Sequence, residues 1–176
     1  NIVVYAGNNN PVDRVRKVAL FEGLDEFGRL QPLLGTAEPA TDFQDNPINW
    51  PDTPAYVSAG LIGQMEGSIA CHSPTTENPA LGDTEIWEIY NATGDAHPVH
   101  LHLVNFQVGT GDEETYGVTR QEFTADVIEQ PVVQHNGLLG NGFRLENIVL
   151  GAEVSLGTDY VENAPKDMVT ALPGQV

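Results

Sequence analysis

Histidine is scarce in this chain, with five in 176 residues. Three of the five fall in the six-residue run His97-Pro98-Val99-His100-Leu101-His102. Imidazole is the commonest protein ligand for copper, zinc and iron, so this run is where metal chemistry is expected. On an extended chain, residues i and i+2 point to one face. His100 and His102 can therefore aim two imidazoles in one direction. His97 has the opposite parity, and Pro98 keeps it extended. It can serve a different metal from the other two, so one short segment could feed two separate sites.

Other chemistries fit the run less well. A lone histidine in a core is usually structural, but three clustered beside an apolar stretch are poor core filler. A cupin-type iron or manganese oxygenase offers an HxH pair, then wants a glutamate three or four residues on. Asn105 and Phe106 stand there. A zinc hydrolase needs a carboxylate base close by, and none of the nearby acids holds a motif position. Gly111-Asp112-Glu113-Glu114 is a weak calcium candidate without the ligand spacing of a calcium loop. Cys71 is the single cysteine. It forms no internal disulfide and is expected to be a half-buried thiol. His72 and His135 are expected to be loop residues rather than ligands.

The elements that must carry the histidines read as strands. Eighteen glycines and twelve prolines, with no long helical periodicity, predict an all-β chain rich in turns. Ile2–Tyr5 and Val15–Glu22 read as strands, and Leu24–Arg29 as a hairpin turn with Gly28 free to take positive φ. Residues 31–55 hold five prolines and read as an ordered loop with one helical turn. Tyr56–Ala70 is mixed, and Cys71–Asp83 reads as loop. Thr84–Asn91 alternates, with Ile86, Glu88 and Tyr90 on one face and Glu85, Trp87 and Ile89 on the other. A turn over Ala92–Ala96 precedes the histidines, and Leu103–Val108 reads as a strand. Residues 109–143 read as a long acidic loop, with a helix over 119–126 as an option; such loops are usually functional or mobile. Leu145–Leu150, Ala152–Leu156 and Lys166–Thr170 are further strands, and Pro173-Gly174 is a turn.

Charge narrows the partners. Seven basic against twenty-five acidic residues give −18. Nucleic acid and anionic membrane surfaces need basic patches that such a chain lacks. The acidity reads as solubility, with a saline setting as one reason for it. No run approaches the roughly 18 apolar residues of a membrane span, and no signal peptide is visible.

The run Gly82-Asp83-Thr84-Glu85-Ile86-Trp87-Glu88-Ile89, followed by His97-Pro98-Val99-His100-Leu101-His102-Leu103-Val104-Asn105-Phe106-Gln107-Val108, resembles the third cupredoxin domain of a multicopper oxidase. It is similar in kind to spore-coat laccases and bilirubin oxidases. Weaker likenesses flank it: Asp25–Arg29 with an early hairpin, Pro74–Pro79 with Gly82 as the loop into the Trp strand, and Lys166-Asp167-Met168-Val169 with Pro173-Gly174-Gln175-Val176 as the family's KDT(V/I)…PGE(V) segment. The resemblance implies a cupredoxin-like Greek-key β-sandwich. It makes residues 1–14 a linker or first strand and 15–176 most of a third cupredoxin domain.

The resemblance also implies roles. His97 would bind the type 1 copper, His100 the type 2 copper and His102 one copper of the type 3 pair. The complete enzyme would take single electrons from a phenol, aryl amine, bilirubin-like compound or metal ion and reduce dioxygen to water. It would be secreted or otherwise extracytoplasmic. The loop from Gly109 to Asn163 would help shape the substrate side of the type 1 site.

One departure stands out. The family's type 1 cysteine lies in an HCHxxxH motif shortly after the PGE(V) segment, and the sequence ends at Val176 without it. Cys71-His72 precedes the Trp strand and lacks that spacing. The fold is therefore expected to be incomplete at its C-terminus. The chain alone is expected to be inactive, and to aggregate, exchange strands or stay with its remaining domains or a complementary fragment. The alternative is a non-catalytic cupredoxin-like module holding a single copper or zinc on His97, His100 and His102.

Overall fold

The computed structural model describes residues 2–4, 12–108, 119–155 and 167–176. Ten strands and one five-residue helix make up the regular structure of these residues, and the pairings between strands are antiparallel. The chain is all-β, as its turn-rich composition predicts, with the secondary structure of a cupredoxin-like β-sandwich. Among the described residues no helix is long and apolar enough to cross a membrane. The candidate calcium run 111–114 lies outside the described residues.

The strands are β1 (Ile2–Val4), β2 (Arg14–Leu24), β3 (Leu30–Thr36), β4 (Gly67–Ile69), β5 (Glu85–Asn91), β6 (His97–His100), β7 (Gln107–Val108), β8 (Thr119–Val133), β9 (Leu139–Ser155) and β10 (Met168–Ala171). The helix, α1, spans Pro54–Ser58. Contacts divide the chain into two compact units, Asn1–Lys17 with Ala80–Thr124 and Val149–Val176, and Val18–Pro79 with Ala125–Ile148.

The first unit carries the histidine run. β1 lies between β5 and β7, with Ile2 opposite Trp87 on one side and Val108 on the other. β6 pairs with β10, which sets His97 opposite Ala171 and His100 opposite Met168. The alternation expected of β5 is borne out by a hydrogen bond on each face. Trp87 Nε1 donates to Glu85 Oε2 at 2.8 Å, and Tyr90 Oη donates to Glu88 Oε2 at 2.6 Å. Glu85 is buried against Arg16, whose Nε and Nη2 grip its two carboxylate oxygens at 2.7 and 2.8 Å. Tyr90 packs edge-on against Phe123, 5.1 Å between ring centres. The C-terminal residues close this unit by backbone bonds: Gly174 N–H donates to Asn91 O, and Gln121 and Val176 exchange both N–H···O bonds.

The second unit holds β3 between β4 and the Val18–Leu24 part of β2, together with the turn end of the β8–β9 hairpin. Its core gathers Ala40, Trp50, Tyr56, Leu61, Met65 and Val133, so the Phe43–Trp50 loop and α1 are anchored by Trp50 packing on Tyr56 at 5.8 Å. Ser68 Oγ ties β4 to β9, donating to Phe143 O and accepting Phe143 N–H, both at 2.9 Å.

Several expectations are corrected here. Within the expected loop 31–55, residues 31–36 belong to strand β3, and the helical turn begins at the loop's end and runs over Pro54–Ser58. Residues 119–133 and 139–143 are not loop, and 119–126 is not a helix: they belong to the long strands β8 and β9, joined by a turn over 134–138. Glu and Asp are tolerated on an exposed strand face when the other face packs: Glu122, Asp126 and Glu129 are exposed here, while Phe123 and Ile128 are half-buried and Val132 is buried. The expected strand Leu103–Val108 shrinks to Gln107–Val108, because Leu103 takes φ +66 in a turn. Cys71 is exposed, not half-buried.

Candidate metal centre

β6 ends at His100, and His102 sits in the turn that follows. The two rings still meet, with centroids 4.8 Å apart and planes tilted by 58°. The expected pairing of His100 with His102 therefore holds, but a turn delivers it rather than one continuous strand. Both rings are exposed and border an open depression with Leu103, Asn105 and Asp167. Rings this close can serve one metal or two neighbouring metals.

His100 is oriented from behind. Its Nδ1 lies 2.8 Å from the backbone carbonyl of Asp167, the residue just before β10. A carbonyl can only accept, so Nδ1 carries the proton and Nε2 carries the lone pair of the neutral ring. Metal-binding histidines are commonly held this way, one nitrogen fixed by a hydrogen bond and the other offered to the metal. His97 lies three residues earlier on β6, half-buried, with Nε2 2.7 Å from Thr93 Oγ1.

The donors suit copper, since imidazole is a borderline ligand that copper takes readily. They form parts of sites, not a closed one. Among the described residues, no group of three His, Cys, Asp or Glu side chains stands close enough to hold a metal ion.

Two features escaped the sequence reading. Thr93 and Asn91 support His97 through side-chain bonds, and an Asn-x-Thr turn just before the histidines was the available signal. His72 and His135, 63 positions apart, bring their rings edge-on at 5.5 Å, a contact invisible without the β8–β9 turn that carries His135.

The multicopper oxidase family profile matches residues 39–139. A laccase of Bacillus subtilis is 60% identical over 37 residues, covering 21% of this chain and 7% of that protein. A laccase of Haloferax volcanii is 58% identical over 61 residues, 34% of this chain and 10% of that protein. Multicopper oxidase LPR1 of Arabidopsis thaliana is 53% identical over 36 residues, 20% of this chain and 6% of that protein. The matched stretches thus span a tenth or less of these relatives.

Proposed function

The chain belongs to the multicopper oxidase family, and from that premise we propose that it supplies ligands to two kinds of copper centre in a copper-dependent oxidase. The observation that carries this reading is the opposite engagement of neighbouring histidines on one strand. His97 is held by Thr93, while His100 and His102 face each other over an open depression.

In this reading His97 binds the copper that receives electrons, the type 1 centre. His100 binds the type 2 copper and His102 one copper of the type 3 pair. Bound copper supplies one-electron transfer from a phenolic, aryl-amine or metal-ion reductant and the reduction of dioxygen to water. The chain's own part is positional. The β6–β10 ladder fixes the spacing of His97 and His100, and the Asp167 carbonyl aims His100 Nε2 outward. The remaining ligands come from elsewhere in the enzyme, residues 15–176 being most of its third cupredoxin domain. Extracytoplasmic placement and a saline setting belong to the same proposal, the latter in keeping with a charge of −18.

The test is copper content and oxygen uptake of the intact protein with a phenol as reductant. Copper bound together with phenol-dependent oxygen consumption supports the oxidase. Copper bound without oxygen consumption would favour a non-catalytic metal-binding module, and no copper uptake would end both readings.

A further inference from the structure

We infer that Asn91 and Thr93 form a buried positioning relay that decides which nitrogen of His97 faces a metal. The inference rests on His97 being a copper ligand, as proposed above, and it concerns residues outside the ligand set. Asn91 is fully buried and Thr93 nearly so.

The hydrogen bonds run outward from Asn91. Its Nδ2 donates to the carbonyls of Asp95 at 2.8 Å and Ala171 at 3.0 Å. Both are obligate acceptors, so the amide can point only one way. Oδ1 then faces Thr93 and accepts its backbone N–H at 3.0 Å. Thr93 Oγ1 lies 2.8 Å from Asn91 Oδ1 and 3.1 Å from Asp95 O. Neither oxygen has a proton to give, so the single hydroxyl proton of Thr93 goes to one of them. Giving it to His97 instead would set Oγ1 lone pairs against two acceptor oxygens in a buried place, which is costly.

With its proton committed, Thr93 Oγ1 can only accept from His97 Nε2 at 2.7 Å. Nε2 is therefore the N–H, and Nδ1 carries the lone pair of the neutral ring. His100 shows the reverse, with Nδ1 as the N–H. Both assignments lead back to the β10 segment. Asp167 holds His100 directly at one end, and Ala171, the ladder partner of His97, holds Asn91 at the other. One short strand thus sets neighbouring histidines in opposite tautomers, so that they offer different nitrogens.

The test is nitrogen NMR of the intact, metal-free protein labelled with 15N-histidine, for the native chain, Thr93→Val and Thr93→Ser. The native His97 is expected as a single Nε2–H form. Thr93→Val is expected to raise the Nδ1–H share about fivefold or more, as loss of one ordinary hydrogen bond implies, and Thr93→Ser to restore the native state. Copper retention at the His97 centre should fall roughly tenfold in Thr93→Val, with the His100 signals unmoved. A native His97 that is mainly Nδ1–H overturns the relay, and that measurement needs no variant to fold. Unchanged tautomer and copper retention in Thr93→Val overturn it equally. Addition of Cu(I) separates the two readings. A His97 fixed as Nε2–H that ignores Cu(I) overturns the ligand reading and with it the relay's purpose. A Cu(I)-responsive His97 that begins as Nδ1–H overturns the relay alone.

Discussion

The Arg16–Glu85 pair gives the sharpest stability prediction. Side-chain exposure is 4% for Arg16 and 3% for Glu85. Their two contacts, at 2.7 and 2.8 Å, have the bidentate geometry in which arginine meets carboxylate best. Trp87 Nε1 adds a third bond to the same carboxylate. Glu85→Ala leaves the guanidinium without its paired carboxylate in a place water does not reach. Breaking a buried pair from one side costs about 3–5 kcal/mol, a large share of the roughly 5–15 kcal/mol that holds a domain folded. At roughly 2–4 °C per kcal/mol for a chain of this size, the Tm should fall by about 6–20 °C. Arg16→Met should cost a similar amount, because Glu85 then keeps only Trp87 among the partners described above. The double variant Arg16→Met with Glu85→Leu removes both charges and should lose less than Glu85→Ala, which strands the Trp87 N–H equally, and less than Arg16→Met apart from about 1–3 kcal/mol for that stranded N–H. Urea unfolding of the four proteins closes the cycle. Single variants within 1 kcal/mol of the native protein, on the scale of an exposed pair, would refute the reasoning. So would a double variant whose loss equals the sum of the two.

Three further outcomes follow from the second unit. Gly35→Ala places a methyl 2.0 Å from the Gly67 carbonyl oxygen and 2.6 Å from its carbon, both backbone atoms that cannot swing aside, so the β3–β4 pair should weaken by about 1–3 kcal/mol in chemical unfolding. Ser68→Ala strips both of the Phe143 backbone bonds that Ser68 Oγ makes and should cost about 1–3 kcal/mol; an unchanged unfolding midpoint would show that these groups find other partners. The carboxyl of Glu66 is pushed above its ordinary range by burial, aided by Glu146 and Glu38 and opposed by Arg144. The fold therefore holds that proton more tightly than the unfolded chain does, and the resulting stability is present at acid pH and lost as pH rises through the folded value. Glu66→Gln should raise the Tm slightly at neutral pH, and the gain should vanish below the ordinary carboxylate range; a gain that is constant with pH would contradict this.

How much of this was legible depended on whether the signal was local. The β5 alternation could be read because its faces are set by parity alone, and the i, i+2 bonds of Glu85–Trp87 and Glu88–Tyr90 bear it out. The pairing of His100 with His102 was legible from spacing, although Leu103 at positive φ ends the strand and lets a turn deliver the second ring. The β8–β9 hairpin was missed because Pro131 and a run of acids look like loop. Its turn nonetheless carried the usual Asn136-Gly137 signal, with Gly137 at φ +81. Arg16 reaching Glu85 across 69 positions, and His72 meeting His135, depend on strand register that no local pattern encodes. The Thr93 support for His97 lies between these cases. Its residues were in view, but the proton accounting needs the distances.

The central claim is that one short segment serves two kinds of copper centre, and spectroscopy of the copper-loaded intact protein tests it most directly. In the complete oxidase proposed above, with its thiolate ligand supplied from elsewhere in the enzyme, His97→Ala should abolish the blue copper–thiolate absorption, while His100→Ala should leave that band in place and alter the non-blue copper signal in electron paramagnetic resonance. If both substitutions removed the same signal, or if neither changed any copper signal, the division of the histidines between two centres would be wrong.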